Sequence, residues 1–149
     1  MAVEKDSLEM HFGCIWPVHN DAFCELLVKL RREFNGDLDR MLVLAIIGSR
    51  HLARGRIADL SYDQIVSGKK PEKVPYPINV QSIADYSGIP RETVRRKVRD
   101  LEQLGWIEKS DKGHLTIGQR AVQDLAPTTA ATLQYIATLV TACNELTSR

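Results

Sequence analysis

The chain has little of most things that announce a chemistry. Its three cysteines, at positions 14, 24 and 143 of 149, are too few and too scattered for a secreted disulfide framework. There is no glycine-rich phosphate loop, no nucleophile elbow, and no recognisable triad or carboxylate pair, so catalysis is not expected. His11, Cys14, His19 and Cys24 carry metal-binding atoms, but the spacing H-x2-C-x4-H-x4-C fits no zinc module. The expectation is therefore no metal and no cofactor. The N-terminus has no basic stretch followed by a continuous apolar one, and no apolar run is long enough for a membrane span. A cytoplasmic protein without membrane contact is expected. Charge of one sign is lacking as well: 20 basic residues face 19 acidic ones, a net +1 that argues against a bulk coat for nucleic acid.

What is present lies between positions 79 and 118. Asn79 is a good helix N-cap, and Ile83 and Ala84 follow on the inner face of a short helix. Gly88 stands where a sharp turn between two helices needs positive φ. Ile89 plugs the joint, and Pro90 suits the first turn of the next helix. That helix is predicted from Arg91 to Leu104, with Val94, Val98, Leu101 and Leu104 on its buried side and Gly105 as its stop. Trp106-Ile107 and Leu115–Ile117 flank Ser110-Asp111-Lys112-Gly113, which reads as a β-hairpin. Helix, turn, basic helix and hairpin make the order of a winged helix-turn-helix, a mainly α fold with a small β-hairpin wing.

Charge is focused on the second helix. Between Arg91 and Arg99 five basic residues (Arg91, Arg95, Arg96, Lys97, Arg99) face one acid, Glu92, and beyond them Asp100 and Glu102 reverse the sign. This suits a recognition helix whose N-terminal half enters the major groove of double-stranded DNA. Arginine matches guanine O6 and N7, glutamate accepts from cytosine N4, and threonine touches a thymine methyl or a phosphate.

The stretch Arg91-Glu92-Thr93-Val94-Arg95-Arg96 resembles the R-E-T-V-x-R segment of Crp-type winged-helix regulators. The resemblance implies that Arg91, Glu92 and Arg96 face the bases. Thr93 is expected beside them. Phosphates are expected to meet Gln81 and Ser82 at the start of the first helix, Arg95 or Arg99, and the wing through Lys109 and Lys112. The same wing residues are as readily plain solvent-facing ones. Lys97 stands where the family prefers an apolar residue.

The flanks are read as helical. Asn20-Asp21 opens a helix to Phe34, and Asp37 caps another from Leu38 to Arg54, whose segment Met41–Ile47 is apolar around the whole circumference and so predicted to be buried on all sides. From Pro127 to Asn144 no residue is charged, with Leu133, Ile136, Val140 and Cys143 on one stripe. Such a helix needs a partner on several sides, and a homodimer is the economical source. Helices, module, terminal helix: the order is similar to that of MarR-family regulators. Phe12, Ile15 and Trp16 are read as an apolar arm packing on the dimer.

The expected organisation is an N-terminal arm at 1–19, core and dimerisation helices at 20–56, an exposed loop insertion at 57–78 crowded with Pro71, Pro75, Pro77, Lys69, Lys70 and Lys73, the winged module at 79–118, and dimerisation helices at 119–149. The function expected is a dimeric, sequence-specific DNA-binding transcriptional regulator. A winged-helix module that docks proteins is the alternative. A ligand-sensing regulator is a third reading that shares the DNA-binding half, with the space between the 38–54 helix and the dimer helices as the place for a small molecule, but no residue set identifies an effector.

Overall fold

The computed structural model describes residues 2–53, 55, 57–71 and 76–148, apart from the side chain of Thr147. Among these, the elements run α1 (Lys5–Met10), α2 (Phe12–Glu33), α3 (Leu38–His51), α4 (Tyr62–Val66), α5 (Val80–Ser87), α6 (Arg91–Gln103), β1 (Ile107–Lys109), β2 (Leu115–Ile117), α7 (Gln119–Asp124) and α8 (Ala126–Thr147). They fall into two compact units. One comprises the chain up to Asn35 and from Ala126 onward; the other runs from Gly36 to Leu125.

The second unit contains the winged helix-turn-helix expected at 79–118. Asn79 caps α5 by accepting from the Ser82 N–H at 2.9 Å, and Gly88 ends that helix at φ 76°, in the left-handed region that residues with a Cβ rarely adopt. Pro90 sits just before the first turn of α6 rather than inside it. Val94, Val98 and Leu101 of α6 pack with Val43 and Ile47 of α3, Ile83 of α5 and Leu115 of the hairpin into one core of fully buried side chains. The hairpin pairs antiparallel with Ile107 opposite Ile117 and Lys109 opposite Leu115. The Leu115 N–H also donates to the Ile78 carbonyl at 2.8 Å, tying the hairpin to the segment that leads into α5. Gly118 closes the hairpin where two backbones nearly touch: a Cβ there would lie 2.6 Å from the Gly105 carbonyl oxygen.

Three local expectations change. The helix expected to start at Asp21 starts at Phe12, because the apolar spacing continues through Asn20-Asp21: the rings of Phe12 and Trp16 stack at 5.2 Å, and those of His19 and Phe23 at 5.3 Å. The arm at 1–19 therefore holds α1, and its residues from Phe12 onward belong to α2. The helix from Leu38 is not buried on all sides within its unit. It packs on α5, α6 and β2 through Val43, Leu44, Ile46 and Ile47, and leaves Leu42 and Ala45 exposed on its far face. The segment expected as a loop contains α4, opened by a capping box between Ser61 and Gln64 and held by the Gln119 side chain, which donates to the Val66 carbonyl at 3.0 Å. Pro75 and Lys73 lie outside the described residues.

In the first unit α2 and α8 run antiparallel, with His19 Nδ1 and the Tyr135 hydroxyl 2.8 Å apart. Among its described residues only Leu26, Phe34 and Thr128 are buried, while Leu133, Ile136 and Val140 on α8 stay about half exposed. No helix among the described residues is long and apolar enough to cross a membrane.

Candidate nucleic-acid interface

At about 100° per residue, the buried row Val94, Val98 and Leu101 fixes where every other α6 side chain points. Glu92, Arg96 and Arg99 lie opposite that row and are exposed. Arg91 and Arg95 are turned toward the wing and the start of α5. Together with Asn79, Val80, Gln81, Arg99 and Lys109 they line an open hollow of about 390 Å³. Thr93 is half-buried on the opposite flank, in line with Lys97.

The basic residues are not equivalent. Lys97 is withdrawn from the exposed face: its Nζ donates to Asp37 Oδ2 at 2.8 Å, and both side chains are less than one-fifth exposed. Asp37 also caps α3, accepting from the Arg40 N–H at 2.9 Å, and it takes a further bond from Arg40 Nη2 at 3.2 Å. Arg40 in turn reaches Asp100 of α6 at 3.9 Å. Burial by itself raises the pKa of the Asp37 carboxyl. The Lys97 hydrogen bond, the Arg40 backbone donor, the Lys97 charge and the Arg40 side chain outweigh that and hold it below its ordinary 3.8. Lys97 thus joins α6 to α3 where an apolar residue was expected. Sequence spacing pointed to Asp37 as a cap but not to this pairing across 60 positions; the odd lysine was the only signal.

Arg95 Nη1 lies 3.6 Å from Glu92 Oε1. Among the described residues Arg91, Arg96 and Arg99 make no ion pair, so three guanidinium groups face solvent uncommitted. On α5, Ser82 is exposed with its hydroxyl donating to Asn79 Oδ1 at 3.0 Å, and Gln81 donates to Asp85 at 2.8 Å. Lys112 sits at the exposed wing tip, where the Gly113 N–H closes the turn onto the Ser110 carbonyl at 2.9 Å. The expected residues therefore divide. Gln81, Arg91, Arg95, Arg99 and Lys109 share the hollow, Glu92 and Arg96 stand on the outermost face, and Ser82, Thr93 and Lys112 lie outside the hollow's lining.

The family model described as the Crp-like helix-turn-helix domain matches residues 50–122. The chain carries a Crp-like helix-turn-helix domain, and it is a DNA-binding transcriptional regulator. The matched span of this Crp-like domain covers α4 to β2, including the segment read as an insertion, and stops short of α8. The likeness of the flanks to MarR-family helices rests on sequence order alone. No curated protein and no solved structure matches the chain.

The four residues near the N-terminus with metal-binding atoms, His11, Cys14, His19 and Cys24, stand apart from this interface. His11 Nδ1 lies 2.9 Å from the Ser7 carbonyl and His19 is bonded to Tyr135, while Cys14 and Cys24 are exposed. His19 is a rung of an aromatic ladder, with Trp16 at 5.1 Å, Phe23 at 5.3 Å and Tyr135 at 6.1 Å. That ladder was not legible in the sequence, since its Tyr135 rung lies 116 positions away.

Proposed function

We propose that the protein is a cytoplasmic homodimer that binds a specific duplex sequence, with α6 in the major groove. The observation that carries this reading is the exposed face of α6, where Arg91, Arg96 and Arg99 stand without ion pairs among the described residues, beside Glu92. Glu92 and Arg96 read base edges, with Arg91 and Thr93 at the margins of the same half-helix. Phosphates are met by Gln81 and Ser82 at the N-terminal end of α5, by Arg99, and by Lys109 and Lys112 of the wing. Glutamate among phosphates is unfavourable unless it takes a base donor, which supports sequence reading over general affinity.

The homodimer reading is supported by the first unit. Its described residues bury only three side chains, and its α8 presents an uncharged face with Leu133, Ile136 and Val140 half exposed. Apolar surface of this kind calls for a cover, and a face without charges is self-complementary under two-fold symmetry. Selection from a random duplex library, followed by titration of the winning and a scrambled duplex at two salt concentrations, tests the whole. A palindromic winner held far more tightly than the scrambled duplex, with steep salt dependence, is expected. Absence of both enrichment and salt-sensitive binding would point instead to a protein-docking module.

A further inference from the structure

We infer that Arg95 is a positioning residue for Glu92, and that it sets the sequence preference of the recognition helix rather than adding one more phosphate contact. The inference rests on the proposed base-reading role of α6. Glu92 is the only acid in the first half of that helix, and its side chain is 79% exposed on the outermost face. A carboxylate there approaches a polyanion with nothing but a base amino group to accept from. Unrestrained, it has many rotamers and is pushed away by the phosphates on either side of the groove.

Arg95 stands one turn later on the same side, with Nη1 3.6 Å from Glu92 Oε1. A neighbour at that place offsets the repulsion and narrows the carboxylate's orientations. It leaves the other carboxylate oxygen open for an incoming amino donor. The remaining basic residues do not serve this purpose. Lys97 is bound to Asp37, and Arg91, Arg96 and Arg99 have no ion pair among the described residues. In the R-E-T-V-x-R pattern Arg95 occupies the variable position, so the pairing is a property of this chain's own sequence.

The test is a double-mutant cycle on the full chain, with Glu92→Ala, Arg95→Ala and the pair, titrated against the selected duplex and each of its single-base-pair variants. Glu92→Ala identifies the base pair that Glu92 reads. Arg95→Ala is expected to lower discrimination at that same base pair by about fivefold, and to change it little further once Glu92 is gone. Arg99→Ala serves as the contrast, weakening all duplexes alike and adding independently to Glu92→Ala. An equal loss on every duplex that persists in the Glu92→Ala background would overturn the inference and make Arg95 a phosphate contact. No effect of Arg95→Ala at any base pair would overturn it too. A wild-type protein with no preference at any base pair would sink the base-reading role of α6 itself, a failure distinct from either.

Discussion

Replacing Lys97 by Met should destabilise the fold without removing a DNA contact. The substitution keeps the stem that crosses the edge of the core and removes only the ammonium. Two unit charges 2.8 Å apart attract by about 6 kcal/mol at an effective dielectric constant of about 20. Most of that is offset by the water both groups gave up, each being under one-fifth exposed. Asp37 keeps its two donors from Arg40 after the change, so the net loss should be about 1–2 kcal/mol, or about 3–8 °C in Tm. The pH dependence has a definite sign. The folded-state pKa of Asp37 is depressed, so its contribution is in full force above the ordinary 3.8 and disappears as pH falls through the folded value. The gap between wild type and Lys97→Met should accordingly be constant from neutral pH down to about 4.5 and close below the ordinary carboxylate range. Thermal melts across that range measure it, and DNA titrations at several salt concentrations should give the two proteins the same salt slope. Equal melting temperatures at pH 7, or a salt slope smaller by about one unit in the variant, would refute the reasoning.

Gly118→Ala should cost more than Gly88→Ala, although only Gly88 has positive φ. The first places a Cβ against a backbone oxygen that cannot step aside, for a loss of about 2–3 kcal/mol; the second has open space and carries only the left-handed penalty of about 1–2 kcal/mol. Chemical denaturation ranks the two. Lys109→Ala should weaken all duplexes uniformly and lower the salt slope by about one. Ile136→Asp places a charge on the exposed stripe of α8 and should shift the protein toward monomer in sedimentation, with loss of tight binding to a two-half-site duplex.

Much of the DNA-binding unit was legible because its constraints are local. A cap at Asn79, positive φ at Gly88, helical spacing from Val94 to Leu101 and a turn at Ser110–Gly113 each follow from residues within one or two turns. What escaped depends on distance. Lys97 looked like a flaw in the buried face until Asp37 came up against it from α3. His19 had no partner in sight along the sequence, and Tyr135 reaches it from α8, 116 positions away. Asn20-Asp21 gave a sound start signal that the ring stacking from Phe12 to Phe23 overrode. The apolar circumference of α3 implied burial all round, because apolar spacing reports which surface can be covered and not whether a neighbour is there to cover it. For the interface itself, sequence located the basic half-helix but could not divide it. The division into Lys97 bound, Arg95 beside Glu92, and Arg91, Arg96 and Arg99 without ion pairs among the described residues came from side-chain geometry alone.

The most direct test of the account is the affinity of Arg96→Ala, relative to wild type, for the selected duplex and for every single-base-pair variant of it. Arg96 is on the outermost face of α6 and has no competing ion pair among the described residues. The account predicts a loss of about 1–3 kcal/mol on the selected duplex and a flattened preference at one base pair per half-site, with the others unchanged. A loss of the same size on every duplex would contradict it, and would leave α6 as a helix that holds DNA without reading it.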